Sequence, residues 1–173
     1  MATAPAWTLR TIDRIDAVDP AAWDRLATPP ERPANPFLTH RFLLALERSG
    51  SATRETGWQP FHLLLEDETG TLRGALPNYL KSHSQGEYIF DYAWADAFQR
   101  AGGQYYPKAL SAVPFTPATG PRLLVAASDP DADALRRGLA EGAQRITAEL
   151  GLSSFHVNFV NDEDAPALQA AGF

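Results

Sequence analysis

The stretch RLLVAASDPDADALRRGLAEGAQRITAELGLSSFHVNFV, residues 122–160, indicates a strand, a long helix and a second strand in succession. Residues 122–125 form a compact apolar run, and Ser128-Asp129-Pro130 is typical of a helix start. Gly151 is a helix stop. The apolar residues between these two signals fall on a single helical stripe, which comprises Leu135, Leu139, Ala143, Ile146 and Leu150.

Residues 155–159 alternate apolar and polar side chains, which predicts a half-buried strand. Further strands are predicted over residues 7–15, 61–65, 72–80 and 88–90, with a bulge or an unpaired edge at Pro77. Helices are predicted from Asp19-Pro20 and over residues 37–48, 91–100 and 164–171, and residues 28–36 are predicted to be an extended connector. This order of elements predicts a mixed α/β fold.

Composition limits the classes of function. The chain has 173 residues, of which 45% are hydrophobic and 21% charged, and its net charge of -6 disfavours nonspecific binding to DNA or to anionic lipid. No cysteine is present, which excludes a thiolate nucleophile and a cysteine-type zinc site. Neither a signal-peptide core nor a run of ~20 apolar residues occurs, so we expect a cytoplasmic protein without a membrane span.

Residues 91–122 are the strongest candidate for a binding site, because they combine large rings, carboxylates, cations and hydroxyls in one segment. A segment that only filled a core would contain more aliphatic residues and fewer polar ones. The candidates in this segment are Asp91, Tyr92, Trp94, Asp96, Tyr105, Tyr106, Lys108, Phe115, Thr116, Thr119 and Arg122.

Asp91 and Asp96 are candidate catalytic bases, or ligands for an ammonium group, since a carboxylate in an apolar pocket can have a raised pKa. The alternative is that Asp91 caps a helix and Asp96 pairs on its surface. The rings at positions 92, 94, 105 and 106 are candidates for stacking on a substrate, although core packing explains them equally well. Lys108 and Arg122 are candidate anion contacts, and the alternative is a salt bridge to one of 21 acidic residues.

Three prolines stiffen residues 114–121, where Phe115 and the hydroxyls of Thr116 and Thr119 are expected to face a ligand. The alternative is a connector with capping hydroxyls. His156 lies on the polar side of its predicted strand, as a substrate contact or base, or as a structural histidine. No second histidine or carboxylate lies at ligand spacing from it, so no metal site is predicted.

Three motifs carry a family resemblance: FDYAWADAFQRAGGQYYPKALSAVPFTPATGPRLL at residues 90–124, NPFLTHRFLLALERSGS at 35–51 and SSFHVNFV at 153–160. They resemble the FemAB-like peptidoglycan biosynthesis/recognition family, whose members are described as GNAT N-acetyltransferases. The resemblance implies a GNAT-like domain over residues 1–173, with a twisted central sheet flanked by helices. It also implies that this domain is the N-terminal half of a longer protein with two such halves.

The resemblance further implies transfer of an acyl or aminoacyl group to a small-molecule or peptide amine, such as a peptidoglycan precursor. GNAT enzymes hold the pyrophosphate of acyl-CoA at a glycine-rich helix start. Residues 125–133 occupy that junction here, and they contain three aspartates, a proline and no glycine. We therefore expect no cofactor in this half, with acyl-CoA or aminoacyl-tRNA held by a missing C-terminal half and the isolated chain inactive.

Two alternatives stay open at this point. One is a non-catalytic ligand-binding or scaffolding domain with the same fold. The other is a homodimer in which the final strands of two copies pair and complete each other's sheets.

Overall fold

The structure, a computed structural model, describes residues 7–173. Its strands are β1 (Thr8–Ile12), β2 (Trp58–Pro60), β3 (His62–Glu66), β4 (Leu72–Leu76), β5 (Tyr79–Lys81), β6 (Lys108–Ser111), β7 (Leu124–Val125) and β8 (Phe155–Val157). Its α-helices are α1 (Pro20–Ala27), α2 (His40–Arg48), α3 (Tyr92–Arg100), α4 (Ala132–Glu149) and α5 (Ala165–Ala170). The predicted mixed α/β class is confirmed.

The strands form two four-stranded sheets instead of the single central sheet that the resemblance implied. The first has the order β1-β3-β4-β7 and is antiparallel throughout. The second has the order β2-β5-β6-β8, in which β6 and β8 are parallel. Only Phe61 separates β2 from β3, and only Pro77 and Asn78 separate β4 from β5. The chain therefore passes twice directly from one sheet to the other.

Hydrogen bonds of Asn78 stabilise the chain where it passes between the two sheets. Its side chain donates to the carbonyl of Phe61 at 2.9 Å, and its N–H donates to Nδ1 of His62 at 3.1 Å. These bonds replace ladder bonds that Pro77, which has no N–H, cannot make. The irregularity predicted at Pro77 is confirmed, but the predicted strand 72–80 is divided into two strands of different sheets.

The first sheet lies between two helical layers. Leu64 of β3 faces the core formed with Trp23 and Leu26 of α1, whereas its neighbours Leu63 and Leu65 face the core formed with α4 and α5. This alternation is the one that a strand covered on both faces requires. The second sheet has a separate small core around Trp58, Tyr79 and Leu110.

Capping residues and apolar periodicity in the sequence predicted the positions of most of the helices. Asp19 caps α1 by accepting the N–H of Ala21, and Pro20 is its first residue, as predicted. Helix α2 begins at His40 instead of 37, since residues 36–38 form a separate 3-10 turn. Helix α4 begins at Ala132, after the predicted start. Its stripe is buried at Leu135, Leu139 and Ala143 and half-buried at Ile146, whereas Leu150, which follows the helix, is exposed.

Several strand predictions were wrong. Residues 88–90 are irregular: Tyr88 has a φ of 60°, and the side chains of Ile89 and Phe90 are exposed. The first strand ends at Ile12, and β8 ends before Phe159. The strands β2 and β6 were not predicted, because a proline lies at or beside each of them. None of the helices in residues 7–173 is long and apolar enough to span a membrane.

Candidate functional site

Lys108 is the centre of a buried group of charged side chains. It is the first residue of β6 and fully buried. Its ammonium lies 2.8 Å from Oε2 of Glu87 and also donates to Oδ2 of Asp91. Both carboxylates come from the region between β5 and α3, so this one cation joins that region to the second sheet. We call these three residues, with Tyr105, Tyr106 and Lys81, the charged cluster.

Asp91 accepts three hydrogen bonds from the cluster. Besides the ammonium of Lys108, the Tyr105 hydroxyl donates to Oδ2 at 2.8 Å and the Tyr106 hydroxyl donates to Oδ1 at 2.9 Å. Burial alone would raise the pKa of Asp91, but these three donors outweigh it and lower the pKa to about 2. The side chain is therefore an anion at neutral pH, and a base that must take up a proton there needs a higher pKa.

The cluster reaches His156 through Tyr105. The hydroxyl of Tyr105 lies 3.5 Å from Nε2 of His156, and that nitrogen also lies 2.8 Å from Oγ of Ser154. Burial, together with the positive charge of Lys108, lowers the pKa of His156, and the charge of Asp91 only partly opposes this. The half-buried imidazole is therefore neutral at physiological pH and able to accept a proton.

Lys81 and Glu87 were not among the predicted site residues. The ammonium of Lys81 lies 3.6 Å from the ring centroid of Trp58 and donates to the carbonyl of Gln85 at 3.3 Å. Burial lowers its pKa to about 7, although Glu87 acts in the opposite direction. One sequence signal could have revealed the burial of Lys81. It lies two residues after the core residue Tyr79 in the same strand, and therefore on the same face of the sheet.

Tyr92 and Trp94 do not surround the charged cluster. They are exposed, as are four other large apolar side chains of residues 88–98, and we call this set the aromatic face; Trp94 is 76% exposed. The rings of Phe90 and Tyr92 are stacked with centroids 5.6 Å apart. Six large apolar side chains exposed within residues 88–98 make this segment a candidate binding surface. The aromatic face comprises Tyr88, Ile89, Phe90, Tyr92, Trp94 and Phe98.

Asp96 lies on the solvent side of α3. Its carboxylate pairs with Arg100 four residues later at 2.9 Å, and both side chains are exposed. This geometry corresponds to the alternative considered for Asp96, a surface pair that contributes little to stability.

Phe115, Thr116 and Thr119 lie beyond the cluster. Phe115 has a φ of 57° and contacts the Trp58 ring at 5.4 Å between centroids. The hydroxyl of Thr116 donates to the carbonyl of Pro114 at 3.1 Å, as a local turn bond. Thr119 is exposed and lines a separate groove of about 430 Å³ together with residues 32–37.

Arg122 is fully buried and bonded to the main chain. Its guanidinium donates to the carbonyls of Asn158 at 3.1 Å and Ala118 at 2.7 Å, and also to those of Gly120 and Pro121. Burial lowers its pKa to about 10, with Asp164 opposing. Its contacts thus hold the loop 118–122 against β8, and the predicted anion contact would have to compete with them.

The junction that precedes α4 is acidic and internally bonded. Asp129 accepts two bonds from Arg73, at 3.0 and 2.9 Å, and its Oδ1 also accepts the N–H of Asp131. A carboxylate therefore occupies the helix start where a phosphate would need free N–H groups. In the described part of the chain, no group of three histidine, aspartate or glutamate side chains is arranged to hold a metal ion.

Comparison with known proteins gives a family and a fold. The family model for FemAB-like proteins, described as peptidoglycan biosynthesis/recognition, matches residues 14–173. No curated protein matches the chain by sequence. The crystal structure of an aminoglycoside antibiotic 6'-N-acetyltransferase from Acinetobacter baumannii superimposes with a TM-score of 0.50 at 15% identity, over 97% of this chain and 90% of that one. This likeness shows the GNAT fold that the motifs implied.

Proposed function

The chain belongs to the FemAB-like family, and from that premise we propose that it forms the acceptor side of an acyltransferase. The reaction we propose is transfer of an acyl or aminoacyl group to the amine of a small molecule or peptide, such as a peptidoglycan precursor. The observation that carries this proposal is the chain of contacts from Lys108 through Asp91 and Tyr105 to His156, together with the contact of Tyr105 with Phe98 of the aromatic face at 6.0 Å between ring centroids.

His156 is the group that we propose as the proton acceptor. During the reaction the amine nitrogen bonds to the acyl carbon, and the bond from that carbon to the sulfur or oxygen of the donor breaks. The proton lost by the amine passes to the neutral imidazole and from there to the leaving group. Asp91, which is an anion held by three donors, fixes Tyr105 and thereby the position of the imidazole.

The aromatic face is the surface that we propose for the body of the acceptor. Rings such as Tyr92 and Trp94 offer large contact areas at little cost in side-chain entropy. The segment that carries these rings is held in place by buried hydrogen bonds from Lys108, Tyr105 and Tyr106. We propose the exposed pair of Asp96 and Arg100, on the same helix, as a polar rim of this surface.

The donor is proposed to bind outside this half. The bonds between Asp129 and Arg73 place negative charge at the start of α4, which disfavours a pyrophosphate there. Acyl-CoA or aminoacyl-tRNA would then be held by a second, C-terminal half of a longer protein. The intact mass of the protein from its native source tests that part of the proposal.

The cytoplasmic location stays a prediction.

A calorimetric titration of the 173-residue chain tests the division of roles. We expect a lysine-containing peptide to bind and acetyl-CoA not to bind at micromolar concentrations. Micromolar binding of acetyl-CoA that is strengthened by Asp129→Ala would place the donor in this half and contradict the proposal. Absence of any peptide binding would remove the acceptor role.

A non-catalytic binding or scaffolding domain is the second candidate function, and the acidic junction before α4 favours it. Peptide binding by the native full-length protein, without acyl transfer from any CoA or tRNA donor, would support this candidate. The predicted homodimer also stays a prediction. In the described residues β8 pairs with β6 on one side only, so light scattering of the chain tests whether a second copy pairs with the other edge.

A further inference from the structure

Glu87 has one carboxylate oxygen that finds no partner among residues 7–173. The residue is 3% exposed, and its Oε2 accepts a bond from Lys108 while its Oε1 accepts none from the described chain. Buried polar atoms are nearly always paired, so such an atom needs an explanation. The Ser84 hydroxyl is also buried and finds no hydrogen-bond partner among residues 7–173.

The two unpartnered groups belong to one turn. The N–H of Glu87 donates to the carbonyl of Ser84 at 3.3 Å, which closes the turn formed by residues 84–87. The turn is anchored from the sheet side, where the Gln85 carbonyl accepts bonds from Lys81 and from the Trp58 indole. The unpartnered oxygens are therefore held by a fixed backbone.

The charges around Glu87 favour a cation as the missing partner. Lys108 is shared between Glu87 and Asp91, so a single ammonium faces two carboxylates. Lys81 is the other nearby cation, and it is directed at the Trp58 ring and the Gln85 carbonyl. Neither ammonium donates to Oε1 of Glu87, and the ammonium group of a ligand would supply the donor that this oxygen can accept.

The segment that covers Glu87 is strained and exposed. Tyr88, the next residue, has a φ of 60°, and Phe115, whose N–H bonds to Gly86 at 3.2 Å, has a φ of 57°. Such angles are unfavourable for residues with a side chain, and they are concentrated at ligand-binding sites. The side chains of residues 88–90 lie on the aromatic face, so a ligand on that face contacts the segment directly.

We propose that Glu87 is the anchor for the ammonium group of the acceptor, with Oε1 as the charged acceptor atom and the Ser84 hydroxyl as a second contact. This assignment rests on the proposed acceptor role of the chain. It adds a specificity-determining residue: the acceptor arrives as an ammonium, Glu87 fixes it, and rotation of the backbone at Tyr88 gives access to the carboxylate. The ammonium loses one proton to solvent before its nitrogen attacks, and the second proton is the one that passes to His156.

Two peptides that differ in one charge test this assignment. The probes are Nα-acetyl-Ala-Ala-Lys-amide and the same peptide with an acetylated lysine side chain. Binding to the 173-residue chain is measured by ¹H–¹⁵N NMR titration for the wild type, for Glu87→Gln and for Glu68→Gln, a matched control on an exposed turn. We expect the wild type and the control to bind the charged peptide at least about tenfold more tightly. We expect Glu87→Gln to lose that preference.

A second measurement does not depend on the variant being folded. In wild-type chain labelled with ¹³C-glutamate, the carboxyl resonance of Glu87 is expected to shift with the charged peptide and to stay unchanged with the acetylated one. Retention of the preference by folded Glu87→Gln, or an unperturbed Glu87 carboxyl on binding, would overturn the assignment. If both peptides bind equally and shift the resonances of Trp94, the aromatic face keeps its proposed role in binding the acceptor, but Glu87 is not the anchor.

Discussion

The ammonium of Lys108 lies 2.8 Å from Oε2 of Glu87, and the two side chains are 1% exposed. Lys108 belongs to a strand, whereas Glu87 belongs to the irregular segment between β5 and α3. The pair therefore attaches the aromatic face to the sheet. Removing one member of a buried pair leaves a charge without a counter-ion, which is much more costly than losing an exposed pair.

Replacement of Lys108 by methionine is expected to lower the free energy of unfolding by about 3–5 kcal/mol, because two buried carboxylates lose their shared cation. Urea denaturation at pH 7 measures the change. Arg145→Met is the matched control, since Arg145 forms an exposed pair with Glu149, and it is expected to cost less than about 1 kcal/mol. Similar values for the two variants would contradict the stabilising role of the pair.

Asp91 is expected to make the free energy of unfolding depend on pH in the acidic range. Its pKa in the folded chain is about 2, below the value in the unfolded chain, since the bonds from Lys108 and the two tyrosines outweigh its burial. Its contribution is therefore present above about pH 4 and lost between about pH 4 and pH 2. The difference in unfolding free energy between wild type and Asp91→Asn is expected to shrink over that window. Asp96→Asn, which removes an exposed carboxylate of α3, is measured beside it as the surface control.

Lys81 is expected to produce a pH dependence of the same sign in a different range. Burial lowers its pKa from 10.5 to about 7, so above pH 7 the unfolded chain binds one more proton than the folded chain. The free energy of unfolding of the wild type therefore rises with pH between about 7 and 9 through this group. Lys81→Met removes that rise and is expected to be more stable than the wild type at pH 6. Parallel curves for the two proteins from pH 6 to pH 9 would show that the folded chain keeps Lys81 charged.

His156 offers a spectroscopic test of the cluster. Its pKa is lowered by burial and by Lys108 and raised by Asp91. The imidazole is therefore expected to titrate below pH 6.5 in an NMR experiment, and Asp91→Asn is expected to move the midpoint lower still. A midpoint that rises in Asp91→Asn would mean that Asp91 does not act on the imidazole in this way.

Helices could be predicted where local chemistry determines them. Asp19 and Pro20 fix the start of α1 regardless of what the helix contacts, and the stripe beginning at Leu135 follows the helical period. The apolar residues 88–90 have high strand propensity, but no neighbouring strand pairs with them, so they are irregular. Strand formation depends on such distant partners, and a single sequence does not identify them.

The site was only partly predictable for a similar reason. The density of rings and charges in residues 91–108 indicated a site, and Asp91, Tyr105, Tyr106 and Lys108 do lie together. Nothing local marks Glu87 as buried, because charged residues usually lie on the surface. Equally, Trp94 on the exposed side of α3 and Trp58 in the core look alike in the sequence.

Those two tryptophans allow stability to be separated from binding. Trp58 is fully buried and contacts Tyr79 at 5.3 Å between ring centroids, so Trp58→Ala is expected to cost about 3–5 kcal/mol of unfolding free energy. Trp94→Ala, at a position 76% exposed, is expected to change stability by less than about 0.5 kcal/mol. If the aromatic face holds the acceptor, Trp94→Ala weakens binding of the lysine peptide several-fold at unchanged stability. Unchanged peptide affinity in Trp94→Ala would exclude this tryptophan from the acceptor surface.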